Sequence, residues 1–398
     1  MPPVTYRATD FVLAANRLQL DMIIGSDGAL PLGGNPVVRV DPDDLQGNAS
    51  RVLNEVGDVD AVVAVDAQML PLAARLAAEL GLAHNAVDAI TAAADKTQQR
   101  RLWDEFGVPQ PTFRVLDHDA DADAIRAAAR AVVFPCIAKP VSLSGSRGVL
   151  RAEDEAGLDS AIAEIRGILR EAQREGEPVL LEEYVPGWEL SIDGLLFDGA
   201  LAVMAIFDKP DTPEGPTFEE TLLVTPSRLP ESTLAAATCI AERAARALGL
   251  RQGPIHAELR IDARAGTARP VMLELAARSI GGLCSRSLRF AAGMSLEMMI
   301  LLNALGAPVE ASASAEAAGV LMLPVERAGV LERIEGQADA RAVPGVTGLS
   351  ITIPLGQNVR PLPWGDRYLG FIFARGGDPE GVERALRAAR TRLRVHIA

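Results

Sequence analysis

No apolar run in this 398-residue chain reaches the roughly 18–20 residues that a membrane span requires. The N-terminus lacks the basic stretch and apolar run of a signal peptide. Cysteine is scarce. Cys136, Cys239 and Cys284 are scattered with neither paired nor metal-like spacing, so they read as buried small hydrophobes in a reducing, cytoplasmic setting. Positive charge is short as well. A formal net charge of −14 argues against a long nucleic acid as partner, because that binding needs clustered Lys and Arg. It leaves room for a small anion held by a few cations in one cleft. No internal repeat is visible. With 48% hydrophobic and 23% charged residues, what remains is a soluble globular chain, long enough for two to four domains.

The order of patterns sets the fold class. Residues 11–95 alternate β-branched runs (Asp21–Gly25, Val59–Val65) with helical patterns such as Met69–Leu80, closed by Gly81. That alternation predicts an α/β domain with a small parallel sheet. Its start, Met1–Tyr6, has no apolar strand where such folds usually open with one; the strand is absent or the native start lies upstream. From residue 96 the texture becomes α+β: a helix at Asp121–Ala131, a strand at Val132–Lys139, a Ser/Gly loop and a helix at Glu153–Arg174. Strands at Val179–Val185, Glu189–Phe197 and Ala200–Phe207 follow, with Asp198-Gly199 as a hairpin turn. A helix spans Thr233–Leu248, and Ala311–Ala318 reads as a linker before a β-rich terminal part closed by a helix at Pro379–Leu393. The expected divisions are 1–95, 96–310 (split at 178/179) and 311–398.

Three patterns carry chemistry. Lys139 ends an apolar strand and is followed by a small-residue loop containing Ser144, Gly145 and Ser146, whose N–H groups can form an anion-binding concavity. The competing reading is a surface loop with a snorkelling lysine. Next, Glu182 and Glu189 bracket a break at Pro186-Gly187, where unpaired backbone groups suit a purine edge and a carboxylate suits ribose hydroxyls. A turn with solvated acids is the alternative. Finally, His256, Glu258 and Arg260 share one face of a strand. In the following strand Val271, Leu273 and Leu275 face away from Glu274 and, if the strand continues, from Arg278. Paired as a hairpin, Glu258 and Glu274 become two close carboxylates that need a cation or an ion pair. Mg²⁺ is one answer and Arg278 the other. His256 either meets substrate and moves protons or is a satisfied histidine under a sheet.

In this order the features resemble the ATP-grasp superfamily, and within it the L-amino-acid (dipeptide) ligase branch of carboxylate–amine ligases. The resemblance runs from about Val59 to the C-terminus; its first motif is Ala94-Asp-Lys-Thr-Gln-Gln-Arg100 with Gly107-Val-Pro-Gln-Pro111, and its last are Arg367–Ala374 and the final helix. It implies an ATP-grasp fold with a Rossmann-like N-terminal domain and a small β-rich C-terminal one. It also implies ATP and Mg²⁺ (or Mn²⁺) as cofactors. Lys96 and Lys139 would contact phosphates under a mobile loop, Ser142–Gly148, that contains Ser144, Gly145 and Ser146. Glu182, Glu183 and Val185 would form the adenine hinge, Glu189 would hold the ribose, and Glu258 and Glu274 the metal. Arg278 would stabilise the transferring phosphoryl group or the acyl phosphate; from the residues themselves, His256 is a second catalytic candidate and Ser279, Gly281 and Gly282 offer close backbone approach to substrate at the same edge. Small carboxylate and amine substrates, no nucleic acid or membrane partner, and a homodimer are expected. Ala276 stands where many of these enzymes place a metal-binding asparagine. Bicarbonate activation of the biotin-carboxylase kind and a non-catalytic nucleotide-binding module are the rival readings.

Overall fold

The computed structural model describes residues 7–28, 34–41, 44–211, 214–264, 266, 268–290, 293–307, 309 and 316–398. The Met1–Tyr6 start and residues 311–315 of the expected linker lie outside them. Among the described residues no helix is long and apolar enough to cross a membrane.

The first part holds α1 (Ala8–Arg17), β1 (Ile24–Ser26), β2 (Val37–Arg39), α2 (Leu45–Val56), α3 (Leu70–Leu80) and α4 (Val87–Ala94). The strands β1 and β2 pair in parallel, as the alternation predicts. The Asp21–Gly25 strand is shorter and later than expected, and the Val59–Val65 run is no strand. Its apolar side chains are used differently: Val62 and Ala64 pack against the cluster that holds Leu72 and Leu76 of α3, and no strand among the described residues pairs with the run.

Next come α5 (Lys96–Glu105), β3 (Phe113–Leu116), α6 (Ala122–Val132), β4 (Cys136–Pro140), β5 (Leu150–Ala152), α7 (Glu155–Glu171) and β6 (Val179–Glu183). The four strands form an antiparallel sheet in the order β3-β6-β4-β5. The strand expected from Val132 starts only at Cys136, because α6 runs on through Val132. Side chains from α6 and α7, including Ile125, Ile162 and Ile165, fill the core against this sheet.

The rest comprises β7 (Trp188–Phe197), β8 (Ala200–Lys209), β9 (Leu222–Thr225), α8 (Glu231–Ala247), β10 (Gly253–Asp262), β11 (Arg269–Ala276), α9 (Leu296–Ala304), β12 (Ala317–Leu323), β13 (Gly329–Glu335), α10 (Gln337–Arg341), β14 (Val346–Ile351), β15 (Asn358–Val359), β16 (Gly370–Gly376), α11 (Pro379–Arg390) and β17 (Arg394–Ile397). Asp198 and Gly199 both have positive φ (51° and 89°), as a two-residue hairpin turn between β7 and β8 requires. Eight strands make one sheet, β11-β10-β7-β8-β9-β12-β16-β14, so it continues across residue 311 into the C-terminal part. Ala317 and Ala318 of the expected linker are buried members of β12. Cys239 corrects another expectation: it lies exposed on α8, while Cys136 and Cys284 are buried.

Strand β10 is regular against β7, but β11 carries a bulge: Glu258 pairs with Glu274, and the next partners are Leu259 and Met272. The extra residue is Leu273. The bulge overturns the simple alternation expected for Val271, Leu273 and Leu275. Met272 and Leu275 enter the core under α8, and Val271 swings opposite Arg260. Bulges free backbone groups and re-aim side chains. Here the freed Leu273 carbonyl accepts from Arg100 Nη2.

Candidate active site

One face of the β8-β7-β10-β11 region is apolar: Leu190, Ile192, Ala257, Leu259, Met272 and Leu275 pack in a common core with α8. The other face is a polar grid set by strand register. Lys209, Glu189 and Arg260 form its first row, Ser191, Glu258 and Glu274 the second, and Asp193, His256 and Ala276 the third. The same-face placement of Glu258 and Glu274 expected from the sequence is therefore present as a direct cross-strand pair.

Each carboxylate of that pair has a lysine. Glu274 Oε1 lies 3.2 Å from Lys96 Nζ, and Glu258 Oε2 lies 3.4 Å from Lys209 Nζ. Lys96 is delivered by α5, whose Gln99 hydrogen-bonds both the N–H and the carbonyl of Leu275 on the edge strand β11. Asp95 caps that helix by accepting from the Thr97 and Gln98 N–H groups. Arg278 does not neutralise Glu274, contrary to one of the two readings. It lies beyond the end of β11, donates to the Ser279 carbonyl at 2.9 Å, and has no carboxylate within ion-pair distance among the described residues.

Lys209 was not foreseen. Its ammonium sits among Glu189 (2.9 Å), Glu258 and Glu220, and these three carboxylates offer oxygens within 4.8 Å of one another. Burial disfavours its charge, but the three carboxylates outweigh that and hold its pKa well above the usual lysine value. A count would have found it: the chain has three lysines, Lys96, Lys139 and Lys209, and every other one of its 39 basic residues is arginine. All three lysines are buried around this cleft. Glu189, expected at a ribose, already receives Lys209 on Oε1 and Arg260 on Oε2.

His256 is held from both sides. Nδ1 is 3.1 Å from Asp193 Oδ2 and Nε2 is 3.3 Å from Glu258 Oε1. Burial pulls the imidazole pKa down, yet Asp193 and then Glu258 push it up to about 9. The ring therefore donates on both sides and is a fixed cation at neutral pH, unsuited to accepting a proton from an amine. Asp193 was missed, although Glu189, Ser191 and Asp193 alternate with Leu190 and Ile192 in the sequence. Its other oxygen accepts the Ile280 N–H at 2.8 Å, which ties the grid to the Ser279–Gly282 turn. Ser279 itself is buried and bonded to Arg7 of the N-terminal part, and Gly281 lies close to Arg278. Gly282 has φ +61°, and a Cβ there would approach Phe371 to 2.7 Å. A pH dependence follows. The folded-state pKa is raised, so His256's contribution to stability is complete below about 6.5 and is lost as pH rises through about 9. Thermal unfolding of the magnesium-free protein from pH 6 to 10 should show that decline, and His256→Gln should flatten it. A wild-type curve without the decline would refute the paired imidazolium.

The second wall of the cleft comes from the four-stranded sheet. Lys139 and Glu182 are diagonal neighbours on β4 and β6, with Nζ 2.8 Å from Oε2. Arg100 Nε takes the other oxygen at 2.7 Å. Burial would raise the Glu182 pKa, but Arg100 and Lys139 hold it at about 2. Burial lowers that of Lys139, with Glu182 opposing. At the end of β6 the Glu183 N–H is bonded to the Thr112 carbonyl, and beyond it the Val185 carbonyl accepts from Arg260. The Val185 N–H has no acceptor among the described residues. The loop after β4 places Gly145 (φ 64°) and Ser146 (φ 57°) in succession, and the N–H groups of Ser144, Gly145 and Ser146 are likewise unbonded among the described residues. Consecutive free N–H groups of this kind form an anion nest.

Comparison with known proteins gives the family and the fold. A family model described as an ATP-grasp domain matches residues 132–287, and one described as L-amino acid ligase C-terminal domain 2 matches residues 321–398. Carnosine synthase 1 of Gallus gallus is 35% identical over 52% of this chain, but the match spans only 24% of that longer protein. D-alanine–D-alanine ligase of Gloeobacter violaceus is 30% identical, with 56% of this chain and 72% of that protein covered. In fold, the chain is similar to an L-amino acid ligase from Bacillus licheniformis, with a TM-score of 0.85, 24% identity, and 100% and 98% of the two chains covered.

Proposed function

The chain belongs to the ATP-grasp family of carboxylate–amine ligases, and from that premise we propose that it joins an amino-acid carboxylate to the amine of a second amino acid. The observation that carries this reading is the in-register Glu258–Glu274 pair, met by lysines from two different elements, with Arg278 beyond the end of β11 and in no ion pair among the described residues. A carboxylate is a poor acyl donor because oxide is a poor leaving group. Transfer of the γ-phosphoryl group of ATP to its oxygen, with ADP leaving, gives an acyl phosphate. The amine then attacks the carbonyl carbon, phosphate departs with the electron pair of the C–O bond, and the proton lost by the amine goes to the departing phosphate. Phosphoryl transfer of this kind depends mostly on positioning and on compensating charge.

The residues divide that work. Lys96 and Lys139 hold the phosphates, and the nest at Ser144–Ser146 wraps them and keeps water away. The free Val185 N–H takes the purine edge, with Glu183 beside it and Glu189 toward the ribose. Oxygen donors from Glu258 and Glu274 suit a hard divalent cation, Mg²⁺ or Mn²⁺, and the buried, unbonded Ser191 hydroxyl stands in register with Glu258. That ion would shield phosphate charge. Ala276 gives it no ligand, since its side chain is a methyl group. Arg278 faces the acyl phosphate, His256 holds a positive charge beside it, and Ser279, Gly281 and Gly282 line the amine's approach. The divisions at residues 95 and 310 are part of this reading, as is a cytoplasmic setting, where ATP is at hand and three unpaired thiols stay reduced.

A screen of ADP and phosphate release over pairs of amino acids and small carboxylates with Mg-ATP tests it. ADP should appear only when an acid and an amine are both present; release driven by bicarbonate alone would overturn the ligase reading. Glu274→Gln should raise the Mg²⁺ concentration for half-maximal turnover at least about tenfold, the scale on which supporting carboxylates act. Unchanged metal dependence would remove Glu274 from the site.

A further inference from the structure

Between β15 and β16 the chain does not return directly to its own sheet. It lays residues 360–366 across the subdomain that carries Lys139. Three residues of α7 (Glu164, Gly167 and Glu171) lie on one stripe of that helix by their spacing of three and four. Each is met by this segment. Trp364 Nε1 donates to Glu164 Oε1 at 2.9 Å, and the indole lies over Gly167. Arg360 binds Glu171 with both Nη atoms, at 2.7 and 2.6 Å. Gly167 makes the contact informative. Glycine is disfavoured inside a helix, and here a Cβ would come within 3.1 Å of the Trp364 ring. The helix keeps a glycine where the indole needs the room.

The same segment reaches the phosphate loop. The Gly148 N–H donates to the Pro363 carbonyl at 2.9 Å, and Arg147 shares Glu171 with Arg360. A Cβ on Gly145 would stand 3.7 Å from the Asp366 carbonyl. The loop that presents the Ser144–Ser146 nest is therefore fastened at its C-terminal end to a different part of the chain from the one that carries it.

We propose that residues 360–366 are a strap that fastens the phosphate loop over bound nucleotide, with Trp364 and Arg360 as positioning residues. The strap rests on the ATP-binding reading above. It acts by holding Gly148 and α7 in place, and through them the N–H groups that surround the phosphates. Nucleotide release then requires the strap to come away from α7.

The test uses the full chain, Mg²⁺ and the fluorescent nucleotide mant-ATP, so no amino-acid substrate has to be known. Dissociation is followed by stopped flow after a chase with unlabelled ATP. Trp364→Ala should release the nucleotide about tenfold faster, and Arg360→Met should do so to a smaller degree, as expected when loop opening controls release. Trp364→Phe, which keeps a ring over Gly167, should restore most of the slow release. Trypsin should cut at Arg147 in Trp364→Ala with Mg-AMP-PNP bound, while the wild type stays protected. Arg360 is an exposed side chain, so its variant keeps the test alive should Trp364→Ala fail to fold. Equal release rates in the wild type, Trp364→Ala and Arg360→Met would overturn the strap. A wild type that does not bind mant-ATP would overturn the nucleotide reading instead.

Discussion

Replacing Arg278 with alanine is expected to lower turnover by about 10²–10³, roughly 3–4 kcal/mol of transition-state stabilisation, as loss of one preorganised donor typically does. The size follows from what the side chain does not do in the resting structure. Lys139 and Arg100 are tied to Glu182, and Lys209 is tied to three carboxylates. Arg278 donates only to the adjacent Ser279 carbonyl among the described residues, so its charge is uncommitted. Removing it leaves no buried carboxylate without a partner, and the melting temperature should move little. Arg278→Lys should recover part of the rate, since it restores the charge but not the planar fork. Single-turnover measurement of ADP formation separates loss of chemistry from loss of substrate binding. Near-normal turnover in Arg278→Ala would strip the residue of its assigned role, whatever happened to KM.

The sequence exposed most where a two-residue period met a packed sheet. Glu258 and Glu274 could be placed on one face of a hairpin because β10 alternates cleanly and a one-residue slip would turn its apolar side outward; their direct pairing came only with the fold. Its limit lies one residue away. The bulge at Leu273 depends on how Arg100 and α5 dock on the edge of β11, a long-range fact with no local pattern. Lys209 was lost for a similar reason. It lies at the end of a hairpin strand, and only the fold brings Glu189, Glu220 and Glu258 around it. Its rarity was the one available signal. In a chain that uses arginine for nearly every other cation, a lysine marks a place where a compact point charge serves better than a fork. The Val59–Val65 run misled for the opposite reason. Its β-branched residues favour a strand, but a strand exists only with a neighbour to bond, and none among the described residues pairs with it.

Glu182→Leu should be the most destabilising of the substitutions considered, by about 3–5 kcal/mol, because it removes one side of a buried ion pair and leaves charges behind. Two cations lose their partner at once: Arg100 is 1% exposed and Lys139 6%. Both are too buried for bulk solvent to compensate fully for the lost carboxylate. The melting transition should fall by on the order of 10 °C, and urea unfolding should shift without a large change in slope. The acid limb gives an independent check. The folded-state pKa of Glu182 is depressed to about 2 from 4.5, so its contribution is complete above about 4.5 and is lost as pH falls through about 2. The wild type should lose stability over that window, and Glu182→Leu should lack this component. Glu182→Gln keeps hydrogen-bonding atoms and should fall between the two. Added Mg-ATP should stabilise Glu182→Leu more, in degrees of melting temperature, than it stabilises the wild type, because phosphate oxygens can then take up the ammonium of Lys139. An equal nucleotide-induced shift in both proteins would mean that Lys139 stays away from the phosphates, and the cleft would have to be rebuilt around Lys96 and Lys209.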